Sequence, residues 1–365
     1  MPSTYTIIGL MSGTSLDGVD GAILRTDGHA QIEALDLITL EYPDALRDKL
    51  RRCFGERDAT QDFIQDAAHD MTLFHAALVR TLKARNDIAI DAIGFHGQTI
   101  YHAPDDGITV QIGDAALLAA ETGLDVIHDF RSDDVRHGGE GAPLLPLYHR
   151  AIALKEKLSL PTTFLNIGGV SNITQINGVA DSEIFACDTG PGNALIDDYV
   201  LKATGNKYDT GGIIAKSGAI NTPCVDKWLR APYFQRPAPK SLDRDAWDIG
   251  TIDSLSTEDA VATLSAFTVR SIAQHIDATQ SVYVCGGGRH NTFIMQQLSM
   301  ALDCPVLPIE MLDYDGDAIE AQGFAYLAAR VLQGLPISLP TTTGTKQGTL
   351  SGVTIRSAPA SSRSA

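Results

Sequence analysis

Three glycine-rich stretches hold the residue types best suited to chemistry. In GLMSGTSLDGVDGAIL, Ser12, Thr14 and Ser15 bring hydroxyls, and Asp17 and Asp20 carboxylates, between two apolar runs. A tight turn over Ser12 to Gly18 presents successive backbone N–H groups on one side, a concave donor surface suited to phosphate. NIGGVSN repeats the pattern, with Asn166, Gly168, Gly169, Ser171 and Asn172 expected in a turn. Gly286-Gly287-Gly288 follows the apolar run VYVC and precedes a helix start near Asn291, where a ligand can approach the backbone closely. No G-x-x-x-x-G-K-[ST] occurs, so a nucleotide reading rests on the set of three turns rather than on any one.

Phosphoryl transfer also needs Mg²⁺ and a group that activates the nucleophile. The carboxylates near these turns are Asp17, Asp20, Asp188 and Glu320. Asp188 closes the run IFAC and precedes Gly190-Pro191-Gly192, so its carboxylate is expected to project from a strand end and accept a proton. The competing role is an N-cap for the helix starting near Asn193. Asp197 and Asp198 read as a solvated helix face.

The elements that must position these groups follow from periodicity. TYTIIGLM and VDGAIL read as a strand pair, and alternation across 27–42 adds a third strand. Helical spacing covers 44–54 and 60–85. AIDAIGF reads as a buried strand that runs into a polar turn at His96, Gly97, Gln98 and Thr99, followed by the strand TVQIG, a helix from Asp114 to Gly123 and the strand DVIHDF. A second hairpin from Thr162 to Ile176 then restarts the order, with helices across 216–230 and 257–276 and an amphipathic helix from Asp317 to Leu332 carrying Glu320. This weak duplication predicts two similar lobes around a cleft, 1–130 plus 337–365 and 131–336, and domain interfaces favour ligands. Leu335–Thr345 and Ser357–Ala365, rich in Pro, Ser and Thr, read as linker and tail.

Composition narrows the partners. At 365 residues, 44% hydrophobic and 20% charged, the chain reads as globular and long enough for about two cores. A net charge of -17 argues against nucleic acid or an anionic membrane as the partner. Cys53, Cys187, Cys224, Cys285 and Cys304 are odd in number and scattered, which fits a reduced, cytoplasmic setting. The ten histidines form no H-x-x-x-H or H-E-x-x-H pair, and no side-chain metal cage is expected.

MSGTSLDGVD, HGQT, QIGD, DFR, GEGAPL, NIGGVSN, DTGPGN, CGGGRHN and the Glu320 helix together resemble the 1,6-anhydro-N-acetylmuramic acid kinases of the actin, sugar kinase and Hsp70 superfamily. The resemblance runs from about Ile8 to Leu332. It implies an α/β fold of two ribonuclease-H-like lobes, with ATP, its Mg²⁺ and the sugar meeting in the interlobe cleft, and often a homodimer. The implied reaction opens the 1,6-anhydro bridge with water while O6 is phosphorylated, giving N-acetylmuramic acid 6-phosphate. By the same resemblance Gly13, Thr14, Ser15, Leu16, Asp17, Gly18, Val19 and Asp20 cradle the ATP phosphates. Gly168, Gly169, Asn172, Gly286, Gly287, Gly288 and Asn291 complete the nucleotide site. Asp188 is the implied base for water, with Glu320 in the reaction site and His96, Gln98, Arg131 and Gly190 on the sugar side. An arginine fork suits the lactyl carboxylate of muramic acid, and an ion pair with Asp129, Asp133 or Asp134 is the alternative for Arg131.

Two departures touch the substrate side: Leu242 and Asp243 stand before Arg244 where the family has Thr and Gly, and Glu140 stands where many relatives have Gln. They leave open a levoglucosan-type kinase. A non-catalytic ATP-binding switch of the actin or Hsp70 kind is the alternative from another class.

Overall fold

The computed structural model describes residues 3–243, 247, 249–250, 252–346, 348–349 and 352–357. The chain forms two units: Met1–Glu156 with Ala318–Pro340 and Gly344–Ala365, and Lys157–Asp317 with Thr341–Thr343.

In the first unit β1 (Tyr5–Ser12) pairs antiparallel with β2 (Gly18–Thr26), and β2 with β3 (Ile32–Glu41). On the other side β1 runs parallel to β4 (Ala92–Ala103), β5 (Ile108–Ile112) folds back on β4, and β6 (Asp125–His128) lies parallel to β4. Strand Val353–Ile355 closes the β6 edge. β1 reads as an unbroken apolar run because both its faces are covered. Gly21, opposite Leu10, faces the helix Asp62–Arg85, where a Cβ would lie 2.1 Å from Leu78. Gly9, one residue along and therefore on the opposite face, meets the helix Ile319–Leu332: a Cβ there would sit 1.8 Å from the Ala321 carbonyl oxygen. Its register partner Gly94 would meet the Phe324 oxygen at 2.4 Å. Helix backbone thus rests directly on sheet backbone, and Ile319–Leu332 is buried nearly all round from Ala321 to Arg330 rather than amphipathic as expected.

The second unit repeats the plan. β7 (Thr162–Ile167), β8 (Val170–Ile176) and β9 (Ile184–Pro191) form an antiparallel meander, and β10 (Val282–Cys285) and β11 (Val306–Pro308) extend β7 in parallel. Strand order and sense match β3-β2-β1-β4-β6 of the first unit, so each unit carries the ribonuclease-H-like arrangement and the duplication holds at the level of topology. The helix Thr257–Ala273 packs on this sheet, capped by Ser256, whose hydroxyl accepts from the Asp259 N–H at 3.1 Å.

Several local expectations give way to packing. His96–Thr99 is no turn. β4 runs through it with a bulge, because Leu10 pairs with Phe95 and Ser12 with Gln98, three residues of β4 against two of β1. Gly97, at φ 75°, permits this where a Cβ would come within 2.5 Å of the Ile112 oxygen. The second hairpin turns more tightly than expected: Asn166 pairs with Asn172 and Ile167 with Ser171, leaving only Gly168, Gly169 and Val170 between the paired residues. The helix expected over 216–230 is two, Ile213–Ser217 and Thr222–Trp228, parted at Gly218, where a Cβ would lie 2.0 Å from the Glu258 oxygen.

Leu335–Thr345 is no linker either: Ile337, Leu339, Thr342 and Thr343 are buried, and Ser338 donates to Asp134 at 2.5 Å. The tail from 358 lies outside the described residues. The division expected after 130 and 336 also differs from the observed units. Ser132–Arg136 packs on β5, Pro146–Lys155 packs on β3 and on Ile319–Leu332, and that last helix lies on β1, β2 and β4. Among the described residues no helix is long and apolar enough to cross a membrane.

Candidate active site

The first glycine loop, Gly13 to Asp17, is braced from behind. Leu16 adopts φ 59°, an unfavourable conformation for a branched side chain, and its side chain is plugged into the core at 1% exposure. The Leu16 N–H donates to the Gly13 oxygen at 3.2 Å, the Tyr42 N–H to the Asp17 oxygen at 3.0 Å, and Arg47 Nε to the Leu16 oxygen at 3.0 Å. Three loop carbonyls are thereby turned into the protein, while Ser15 and Asp17 are exposed and Gly13 and Thr14 half-buried. Leu16 and Val19, both inside the core, can meet a ligand only through main chain. Gly18 is needed for packing, since a Cβ would lie 2.2 Å from the Leu40 oxygen. Asp20 accepts from Thr39 Oγ1 at 2.5 Å.

From the end of β1 a buried chain of hydrogen bonds leads to the β4 bulge. Tyr42 Oη donates to Ser12 Oγ at 2.9 Å, and Ser12 Oγ donates to Gln98 Oε1 at 2.6 Å. Beside it, Arg131 donates from Nε to His96 Nε2 at 3.0 Å and from Nη1 to the Gly141 oxygen at 2.7 Å. His96 Nε2 is therefore the acceptor, and the ring proton sits on Nδ1, which donates to the Gly97 oxygen at 2.9 Å. Burial, helped by the Arg131 charge, holds His96 well below the usual histidine range, so it is neutral. The carboxylates considered as alternative partners of Arg131 engage other groups: Asp134 accepts from the Gly141 N–H, Asp133 faces Arg136 and His137, and Asp129 accepts from the Ser132 N–H. Glu320 is half-buried in the first turn of Ile319–Leu332.

In the second unit a row of polar residues crosses the sheet. Asn166 on β7 pairs with Asn172 on β8, which pairs with Asp188 on β9. Asp188 lies in the middle of β9, not at its end as expected, and it does not cap the helix Ala194–Thr204, whose N-cap is Asn193. A bulge follows it, because Ser171 pairs with Gly190 and leaves Thr189 extra, and bulges re-aim side chains. Asp188 is 5% exposed and is gripped at three atoms: Oδ2 accepts from the Leu242 N–H at 2.8 Å, its own N–H donates to the Lys240 oxygen at 2.9 Å, and its oxygen accepts from Tyr233 Oη at 2.6 Å. Gly190, at φ 148°, is packed on Ser271, where a Cβ would lie 2.6 Å from the hydroxyl oxygen.

The other glycines also serve close approach. The Gly168 and Gly169 carbonyls accept from the N–H groups of Asn193 and Gly192 at 2.7 and 2.9 Å, tying the turn to the start of a helix. Gly286, at φ 75°, and Gly288 fold over Ile167, whereas a Cβ on Gly287 would find its nearest neighbour at 3.9 Å. Arg289 locks this loop: Nη1 donates to the Gly286 oxygen at 3.0 Å, its fork meets Asp317 at 2.7 and 2.9 Å, and Nε meets Glu310 at 2.7 Å. Asn291 caps the helix Thr292–Ala301, accepting from the N–H groups of Phe293 and Ile294.

The sequence profile of the anhydro-N-acetylmuramic acid kinases matches residues 5–357. The chain belongs to the anhydro-N-acetylmuramic acid kinase family. Proteins of that name from Rhodospirillum rubrum and Acidiphilium cryptum are each 46% identical to it, over 92% and 97% of this chain and 90% and 99% of theirs. A xylulose kinase structure from Lactobacillus acidophilus is similar at a TM-score of 0.45 and 10% identity, over 90% of this chain and 89% of that one. Membership makes the chain a kinase, of α/β fold with two ribonuclease-H-like units.

Against the family pattern, Leu242 supplies a main-chain N–H to Asp188, which any residue but proline provides, so this departure leaves the contact intact. Arg244 lies outside the described residues. Sequence reasoning missed Tyr42, Arg47, Tyr233, Lys240 and Arg289. For Arg289 the signal was present in GGGRH followed by DYDGD, a lone cation after a glycine loop with acids downstream.

Proposed function

We propose that this chain phosphorylates 1,6-anhydro-N-acetylmuramic acid at O6 with ATP while water opens the anhydro bridge, as a cytoplasmic enzyme working as a homodimer. The observation that carries the reading is Asp188, a nearly buried carboxylate gripped through N, O and Oδ2 in a chain of this family.

In the reaction Asp188 takes a proton from water as the water oxygen bonds to the anomeric carbon. The C1–O6 bond breaks and its electron pair stays on O6. O6 then bonds to the γ-phosphorus, and the bond from phosphorus to the β–γ bridging oxygen breaks. N-acetylmuramic acid 6-phosphate and ADP leave, and the proton passes from Asp188 to solvent. Arg131 faces the lactyl carboxylate, with neutral His96 fixing the guanidinium from behind, and Gln98, Gly190 and Glu320 complete the sugar side. The loop from Gly13 to Asp20, with Gly168, Gly169 and Asn172, holds the phosphates. Gly286 to Gly288 and Asn291 lie against the nucleoside.

A Mg²⁺ held mostly by phosphate oxygens needs only one or two protein carboxylates. That fits this chain, where no group of three His, Cys, Asp or Glu converges among the described residues but Asp17 is exposed at the end of the first loop, with Asp20 beyond it. Asp17 and Asp20 are the residues that would hold it. When bound, the ion would supply neutralisation of the charge on the nucleotide phosphates.

The test is ADP release by purified protein with anhydro-N-acetylmuramic acid, with levoglucosan and with no sugar. Turnover with the first alone supports the proposal. Equal turnover with levoglucosan, or release independent of sugar, overturns it.

A further inference from the structure

Lys240 is 1% exposed, an unusual place for an ammonium, and among the described residues no carboxylate pairs with it directly. Its Nζ donates to the Tyr233 and Arg236 oxygens, each at 3.1 Å, and lies 4.4 Å from the centre of the Tyr233 ring. Two carbonyl dipoles and an aromatic face solvate the charge in place of water. An ammonium taken from water without such partners would be strongly disfavoured, so the loop is built around this one.

The same loop grips Asp188. Tyr233 at one end donates its hydroxyl to the Asp188 oxygen, Lys240 accepts from the Asp188 N–H with its own oxygen, and Leu242 donates to Oδ2. A closed ring results: Asp188 to Tyr233, Tyr233 to the Lys240 ammonium, and Lys240 main chain back to Asp188. Between Arg236 and Asp243 the segment has no helix or strand, so no regular ladder sets its shape. Lys240 draws the Tyr233–Arg236 arm and the Lys240–Leu242 arm together, and those arms carry the Tyr233, Lys240 and Leu242 bonds to Asp188.

We propose that Lys240 is a positioning residue for the Asp188 carboxylate, acting through the loop it ties. The proposal rests on the assignment of Asp188 as the base. The Leu242 N–H on Oδ2 helps set the carboxylate orientation, so moving that N–H moves the base, and a base displaced by about an ångström can lose about 100-fold in rate. Lys240 touches neither water nor sugar in this account.

The test compares wild type with Lys240→Met, Tyr233→Phe and Asp188→Asn, measuring kcat, both KM values and melting temperature. Lys240→Met keeps most of the buried stem and removes the charge. It should lower kcat by about 10- to 100-fold, with KM for ATP and for sugar within about twofold of wild type. Tyr233→Phe keeps the ring under the ammonium and removes one grip, and should lower kcat by about 2- to 12-fold with little change in melting temperature. That variant reports on positioning even where Lys240→Met fails to fold. If Asp188→Asn is inactive while both loop variants that fold turn over like wild type, Lys240 has no positioning role and the base assignment stands. If Asp188→Asn itself turns over normally, both ideas fall.

Discussion

Arg47 Nε donates to the main-chain oxygen of Leu16 at 3.0 Å, at a residue of the first glycine loop held at φ 59°. A strained loop conformation persists only where its surroundings over-determine it, and here the Arg47 bond, the Tyr42 bond to Asp17 and the buried Leu16 side chain do so together. Arg47→Met removes the guanidinium from behind the loop and leaves its outer surface unchanged. It should raise KM for ATP about 10-fold, from the loss of about 1.5 kcal/mol of charge-assisted hydrogen bonding, with KM for sugar unchanged. Steady-state kinetics with each substrate varied in turn checks this, and equal shifts in both KM values would contradict it.

Two glycines near the same loop should respond oppositely to alanine. At Gly9 a Cβ meets the Ala321 oxygen at 1.8 Å, whereas at Gly13 the nearest atom is the Ser15 hydroxyl at 3.7 Å. Gly9→Ala should therefore destabilise the protein by more than about 4 kcal/mol, because helix and sheet backbones must part. Gly13→Ala should stay within about 1 kcal/mol of wild type. Urea denaturation followed by circular dichroism distinguishes them, and similar midpoints would show that the helix is not seated on β1 as described.

What was legible in the sequence is what local chemistry decides. The hairpins, the Asp114 cap with Gly123 closing its helix, and the glycine loops follow from residue type and period. The bulge at His96–Gly97 is set by register with β1, which no local pattern encodes. Leu335–Thr345 reads as linker by composition, yet Ile337 and Leu339 find core to bury in. Lys240 and Arg47 carry no local sequence signal, because only tertiary structure brings carbonyl oxygens to meet them. The middle position of Asp188 on β9 was hidden because glycine after a strand usually ends it, whereas here the strand continues through a bulge to Pro191.

Buried neutral histidines make stability depend on pH. Burial pushes His75 and His102 down to about 4 and His149 to about 3. A folded value below the unfolded one, near 6.5, means the unfolded chain binds the proton more readily. The stability of the neutral ring is thus fully present above about pH 6.5 and is lost as pH falls towards 4, by up to about 1.4 kcal/mol per unit for each such ring. Denaturation midpoints should decline from pH 7 to pH 4.5, and His75→Leu should flatten that decline. An unchanged slope in this variant would exclude His75 as a contributor.

Asp188 decides the account as a whole. The most direct measurement is sugar-dependent ADP release by Asp188→Asn at saturating ATP and anhydro-N-acetylmuramic acid, with ATP affinity measured on the same protein. Asparagine can occupy the same position yet cannot take up the proton, so kcat should fall about 10²- to 10⁴-fold while ATP binds as in wild type. Near-normal turnover in this variant would contradict the account.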